Sequence, residues 1–203
     1  MKPIGRTGII TLAIVGALVL LGGSCIATYN KLVRLDQAAK AQWAQVENTY
    51  QRRADLVPNL VETVKGAAAF ERDTITAVTQ ARSRVGQVAA PQGDITTSPE
   101  AFQKHQQAQD ALGGALSRLL VVAEAYPNLT ATQAFRDLQA QLEGTENRIT
   151  VERMRYNEAA RDFDTARASF PTSIVAGLFG GRFAERQYFT AKAGSDVPPR
   201  VNF

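Results

Sequence analysis

The apolar positions of this chain fall into one unbroken run followed by long stripes at helical spacing. The run is Thr7 to Asn30, TGIITLAIVGALVLLGGSCIATYN, uncharged between Arg6 and Lys31. Its length suits the roughly 20 apolar residues that a helix needs to cross a bilayer. It exceeds the apolar core of about 7–15 residues of a cleaved signal peptide. A retained transmembrane anchor over 7–30, behind a short segment 1–6, is therefore expected. Helical patterning resumes at once. Leu32, Leu35, Ala39, Trp43, Val46 and Tyr50 follow 3/4 spacing, and Val57, Val61, Val64 and Ala68 extend the stripe past Pro58. Proline cannot donate to the carbonyl of Ala54 and crowds that turn. Because the stripe keeps its register, the pattern predicts a kink in one helix over about 31–88 rather than a break. Almost no linker separates run from stripe, so anchor and first bundle helix are expected to form one nearly continuous rod.

Ala89 to Thr97, AAPQGDITT, is a loop by its Pro, Gly and Asp. Ser98 as N-cap and Pro99 at the first position restart a helix over about 99–126. Phe102, Leu112, Leu116, Leu119, Ala123 and Tyr126 mark its apolar face. Gly113-Gly114 in mid-helix costs about 1 kcal/mol per glycine relative to Ala, which reads either as close approach of a neighbour or as a weak point. Tyr126-Pro127-Asn128-Leu129 is a turn, and Thr130 or Thr132 caps a last helix over about 132–170. Phe135, Leu138, Leu142, Ile149, Tyr156, Phe163 and Phe170 sit on a regular 3/4 frame there, a bundle or coiled-coil seam. Glu152 interrupts it. Either the frame drifts off the core or Glu152 pairs inside it; drift is preferred, because 3.6 residues per turn does not match a 3.5 repeat. The tail, 171–203, is apolar and glycine-bearing up to Phe189, and Pro198-Pro199 breaks its end. Phe179, Phe183, Tyr188 and Phe189 are its candidate partner-binding residues; packing on the chain's own bundle and lying on a membrane are the other readings. The expected fold class is all-α, an antiparallel up-and-down bundle of long helices after an N-terminal transmembrane helix.

Composition narrows the function classes. Of 203 residues 45% are hydrophobic, enough for a proper core, and the net charge is +4. The sequence pI is about 9.4. Acids and bases alternate along the helices as on solvated faces, with no clustered basic face, so nucleic acid is not an expected partner. His105 lies in the polar run Gln103 to Gln107 and reads as part of a solvated helix face. No ligand cluster surrounds it, and no metal or cofactor is expected. Neither a phosphate loop nor an HExxH motif occurs, and no nucleophile–base pair is evident, so an enzyme is not expected. Cys25 is the sole cysteine. It is either an unmodified membrane residue or, through Leu21-Gly22-Gly23-Ser24-Cys25, the lipidated residue of a weak lipobox. The basic residues flanking the anchor are nearly balanced, Lys2 and Arg6 against Lys31, Arg34 and Lys40. Signal-anchor logic favours the bundle outside the cytoplasm.

Several long segments resemble the bacterial LemA family. They are Tyr29 to Val33, Trp43 to Glu47, Gln51 to Glu62, Ser117 to Val122, Tyr126 to Leu129 and Leu142 to Ile149. The resemblance spans nearly everything after the anchor. It implies a membrane anchor, sometimes of lipoprotein type, a bundle of long antiparallel helices, no established enzymatic activity or cofactor, and association with envelope proteases or small membrane-linked proteins.

In an antiparallel bundle, residues near 52–62 lie opposite residues near 143–153. An interhelical polar network is expected: Arg52 or Arg53 with Glu143 or Glu146, and Arg148 with Asp55 or Glu62, with Gly144 permitting close backbone approach. The expected role is a non-enzymatic membrane-anchored scaffold or adaptor that binds envelope or membrane proteins, proteases among them. The alternatives are a self-associating structural envelope protein and, third, a hydrolase. The expected location is a bacterial inner membrane, single-pass; the alternative is a lipoprotein held through Cys25. Oligomeric state is left open.

Overall fold

The structure, a computed structural model, describes residues 6–66, 71–88 and 94–190. Expectations that fall on 1–5, 67–70, 89–93 and 191–203 lie outside the described residues. These include Lys2, Ala68, most of the 89–97 loop and Pro198-Pro199. The described residues are all-α, with no strand. The helices are α1 (Arg6–Lys65), α2 (Arg72–Val88), α3 (Pro99–Ala123), α4 (Pro127–Thr130), α5 (Gln133–Ala168) and α6 (Thr172–Leu178), with 3-10 turns at Ile95–Thr97 and Gly180–Phe183.

The helix expected over 31–88 is two helices. α1 passes through Pro58 and ends at Lys65, where Gly66 turns; α2 starts separately at Arg72. Glycine ends helices readily because it tolerates conformations closed to other residues, and the apolar stripe outweighed that signal in the sequence. The carbonyl of Ala54 that Pro58 leaves free is not orphaned. Arg82 Nε of α2 donates to it at 3.0 Å. The separation of α2 from α1 thus supplies the donor that lets α1 continue through its proline.

The chain forms two compact units. The first comprises Met1–Ala41 and Ala159–Glu185; the second comprises Gln42–Glu158 and Arg186–Phe203. In the first, α1 opens with a stretch long and apolar enough to cross a membrane. Ile10, Leu12, Leu18, Leu20, Leu21 and Ile26 are all exposed there. Burial begins at Tyr29 and Leu32. Leu32, Phe163, Val175, Ala176 and Phe183 form this unit's core, flanked by Tyr29, Val33 and Leu35.

The second unit is a four-segment up-and-down bundle. α2 runs back along α1, as the Arg82 bond requires. α3 runs with α1: Trp43 meets Phe102 at 5.6 Å between ring centroids, and further along Arg53 meets Gln109. α5 runs against it, bringing Glu146 to Arg53 and Tyr156 to Trp43. Val57, Leu60, Val64, Val78, Leu112, Leu119 and Phe135 fill the core at one end. Ser98 caps α3 by accepting from the Ala101 amide at 3.4 Å, and Thr132 accepts from the Phe135 amide at 3.3 Å before α5.

The α5 seam keeps its frame to the end of the helix, contrary to the expected drift. Phe135, Leu142, Thr145, Ile149, Tyr156, Phe163 and Ala166 are buried at 3/4 spacing, Ala160 joins them, and Phe170, beyond the helix end, is exposed. Glu152 is half-buried and accepts from Arg155 at 2.9 Å.

Candidate functional site

The second unit carries a polar seam through its middle. Arg53 projects from α1 and is 2% exposed. Its Nη1 donates to Glu146 Oε1 of α5 at 2.8 Å. Its Nη2 donates to the Gln109 side-chain oxygen at 2.7 Å and to the Gln109 backbone carbonyl at 2.8 Å, both on α3. A guanidinium fits this task because its donors form a planar fork that several oxygens can share. One turn earlier on α1, the Tyr50 hydroxyl accepts from Arg153 Nε at 2.6 Å, and Arg153 Nη2 reaches Asp110 at 3.2 Å. Burial pushes the Tyr50 phenol up, against the opposing pull of the two arginines.

His105 is buried between Trp43 and Tyr50, at 5.5 Å between ring centroids in each case. This corrects the solvated-face reading. The frame of α3 runs Phe102, His105, Gln109, Leu112, Leu116, Leu119 and Ala123, all buried. The 3/4 spacing through His105 and Gln109 was present in the sequence; the polar neighbours of His105 concealed it. Burial, and then the charges of Arg153 and Arg53, lower its pKa to about 4. The imidazole is neutral at pH 7 and a weak base, with Nδ1 buried and unbonded. A cavity of about 330 Å³ adjoins it, lined by Glu47, Asn48, Gln51 and Val85 among others. Among the described residues, no three His, Cys, Asp or Glu side chains come together to hold a metal.

The other expected pairings fall differently. Asp55 accepts from Gln51 at 2.7 Å, and Glu62 from Lys65 at 3.0 Å. Glu143 accepts from Gln139 at 3.0 Å. All three are neighbours on their own helix, and none meets Arg148. Arg148 and Arg52 instead line one cleft of about 180 Å³ with Gln141, Gly144 and Thr145. Among the described residues, no acidic side chain lines that cleft. Gly144 is not a point of close approach: a Cβ there would meet nothing within 4 Å. The close approach is at Gly113, where a Cβ would stand 3.3 Å from Arg53 Nη1. On the other side of α5 a groove of about 340 Å³ is lined by Gly113, Leu116, Ser117, Leu120, Leu142, Glu143, Glu146 and Asn147. Three of the segments that carried the family resemblance, 51–62, 117–122 and 142–149, thus contribute residues to these two clefts on α5.

Two of the four candidate tail aromatics are taken up internally. Phe183 is buried in the first unit. Phe189 stacks on Trp43 at 5.8 Å, with Arg153 lying over its ring at 4.9 Å. Its backbone forms a reciprocal pair with Asn157: Phe189 N donates to Oδ1 at 2.9 Å, and Nδ2 donates to the Phe189 carbonyl at 2.8 Å. The Gln187 carbonyl accepts from Tyr156 at 2.9 Å, and the Gln187 amide donates to the Thr96 carbonyl at 2.8 Å. Arg186 bonds Asp94 at 2.6 Å and also the Thr96 hydroxyl. Burial works to raise the Asp94 carboxyl, but the bonds from Thr96 and Arg186 outweigh it and hold the pKa below its ordinary value. Nothing in the residue pattern points to this clasp. Phe179 and Tyr188 keep substantial exposure, and Cys25 is exposed with a free thiol.

An all-α bundle with a charged internal seam, preceded by an apolar helical stretch, defines the class. Residues 42–203 match the LemA family, and the chain belongs to it. Magnetosome protein MamQ 2 of Paramagnetospirillum magneticum is 25% identical, over 97% of this chain and 78% of the relative. Magnetosome protein MamQ of Magnetospirillum gryphiswaldense is 27% identical over 84% of this chain and 67% of its own length. Protein LemA of Metamycoplasma hominis is 24% identical over 72% and 63% respectively.

Proposed function

We propose that the chain is a single-pass membrane protein whose bundle serves as a scaffold or adaptor for envelope or membrane proteins, on the extracytoplasmic face of a bacterial inner membrane. Its work on this reading is binding, not catalysis. The observation that carries the reading is α1. One helix begins with an exposed apolar stretch, Ile10 to Ile26, and ends as a core element of the second unit at Leu60 and Val64. An exposed apolar surface of that extent marks a membrane or protein contact, and its length is that of a bilayer span. The neutral His105, with no carboxylate bonded to it, further supports binding over acid–base chemistry. Relatives named as magnetosome proteins support a place in a larger assembly.

The Arg52–Arg148 cleft is the part of the second unit best suited to a partner. Neither arginine makes an ion pair among the described residues, and two guanidinium groups on adjoining helices match a carboxylate-bearing segment. Photo-crosslinkers at Gln141 and Asn48, read by mass spectrometry in native membranes, test the reading. Specific membrane-protein partners that disappear in Arg52→Glu/Arg148→Glu are the expected result. Release of the chain by alkaline carbonate sinks the anchor. Crosslinks to copies of the same chain alone favour the self-associating alternative. Retention of Cys25→Ser in the membrane separates a protein anchor from a lipid one.

A further inference from the structure

We propose that α6 and the residues flanking it make a second membrane contact, seated at the boundary between headgroups and acyl chains where α1 leaves the bilayer. The proposal rests on the anchor reading above. α6 is apolar on two faces. Thr172, Val175 and Ala176 turn inward to the first unit's core. Within α6, Ile174 and Leu178 turn outward one turn apart, exposed by 56% and 73%, and Phe170 just before the helix and Phe179 just after it are exposed by 82% and 48%. No charged residue occurs between Phe170 and Gly181. A solvated helix face carries polar residues at such positions; this one presents Ile174 and Leu178 as a short apolar stripe, with Phe170 and Phe179 exposed at its two ends.

The position of the stripe identifies its occupant. The Tyr29 ring packs against Phe179 at 4.7 Å and against Phe183 at 5.7 Å. Tyr29 follows Ile26, the last exposed large apolar residue of the α1 stretch, by three residues, about 4.5 Å of helix rise. Tyrosine is enriched at the membrane–water interface, where its ring is buried and its hydroxyl is wet. The Arg182 guanidinium lies 5.7 Å from the centroid of the same ring. Lys31 and Arg34 are exposed on the next turn of α1. Apolar side chains on one level and cations beside them is the arrangement of interfacial helices on anionic lipid. The exposed face of α6 is therefore continuous with the membrane-embedded surface of α1, and a lipid surface covers both.

The test uses the full chain in vesicles of phosphatidylethanolamine and phosphatidylglycerol, with Cys25→Ser as background. Spin labels at Ile174→Cys and Leu178→Cys report collision with oxygen, which enters lipid, and with a water-soluble nickel chelate. Leu18→Cys marks the bilayer interior and Thr150→Cys marks water. The expected result is that Ile174→Cys and Leu178→Cys favour oxygen over the chelate several-fold more than Thr150→Cys does. Chelate access equal to that at Thr150→Cys overturns the proposal. So does protection from both quenchers, which signifies a protein contact. A lipid-protected Leu18→Cys with a water-exposed Leu178→Cys sinks this inference alone; a water-exposed Leu18→Cys sinks the anchor reading with it. Leu178→Trp fluorescence quenched by bromine-labelled lipid gives the same answer without a nitroxide side chain, and absence of that quenching counts against the proposal.

Discussion

In the first unit the tail is held by shape, and in the second by direction. Up to Glu185 it attaches through Val175, Ala176, Phe179 and Phe183 packed on Tyr29, Leu32 and Phe163. From Arg186 to Phe189 it attaches through paired amides, a tyrosine hydroxyl and a guanidinium. Apolar contact is roughly proportional to area and tolerates sliding; hydrogen bonds fix register and are expensive to leave half made. The first unit can therefore adapt to what surrounds it, and the second is specified to a single arrangement. The same contrast holds for the helices. The first unit's core is apolar and aromatic, whereas the second is pinned by Arg53, Tyr50 and Arg153.

If direction is what specifies the second unit, removing Arg53 should have the largest effect. Arg53→Leu leaves the buried Gln109 side chain without its donor, which costs about 1–3 kcal/mol, and loses the guanidinium's bonds to α3 and α5 together. The urea midpoint of the full chain in detergent, with amide exchange of α3 as a local probe, reads it. Glu146→Gln removes only the charge of the half-exposed partner, its side chain 47% accessible, keeps an oxygen that can accept from Arg53, and should cost less, about 1 kcal/mol. Equal losses for the two variants would mean that Arg53 is not the organiser.

The next effect is pH dependence, which the second unit should show through His105. Its pKa is about 4 when folded and about 6.5 when unfolded. Between those values the unfolded chain binds the extra proton, so acid favours unfolding. Stability should be full above about pH 6.5 and fall by about 3 kcal/mol on descending to pH 4. In His105→Phe that component of the slope should vanish. A slope unchanged by the substitution would assign the dependence to other groups.

Smaller again is a direct comparison of polar contacts in the two units. Asn157→Ala removes both sides of the Phe189 clamp and should cost about 1–2 kcal/mol. Arg167→Ala in the first unit removes a 3.3 Å bridge to Glu185, whose side chain is 69% accessible, and should cost under about 1 kcal/mol. Thermal shifts of the two variants side by side give the ranking, and a larger loss for Arg167→Ala would reverse it.

The helices were legible because their apolar positions repeat, and repetition is a local property. Trp43, Val46, Tyr50, Val57 and Val61 gave the inward face of α1 directly. The seam was legible only in part. Arg53 opposite Glu146 followed from antiparallel register, but Arg148 beside Arg52 did not, because an arginine that faces a cleft has the same local sequence as one that faces an acid. His105 was misplaced because its neighbours are polar, although its own position lies on the frame. The tail clasp could not be read at all. Gln187 meets Thr96 through backbone groups, and the Asn157 side chain meets the backbone of Phe189; backbone groups leave no trace in residue identity.

The smallest effect, and the most selective, concerns three glycines exchanged for alanine. In a helix interior the exchange favours folding by about 0.5–1 kcal/mol, because alanine has less freedom to lose. Gly144 of α5 and Gly177 of α6 have nothing within 4 Å of a new Cβ. Gly144→Ala should therefore gain most of that amount, and Gly177→Ala a smaller share, since it lies in the last turn of a short helix. Gly113→Ala sets the same backbone gain against a methyl group placed 3.3 Å from Arg53 Nη1. That guanidinium is fixed by three bonds, to Glu146 and to two oxygens of Gln109. It cannot retreat without lengthening one of them, so Gly113→Ala should gain nothing or lose. Placing Gly113→Ala in the Arg53→Leu background removes the obstacle, and the missing gain should then return. If it does not, the tightness of the polar seam lies in the helix backbones and not in the arginine.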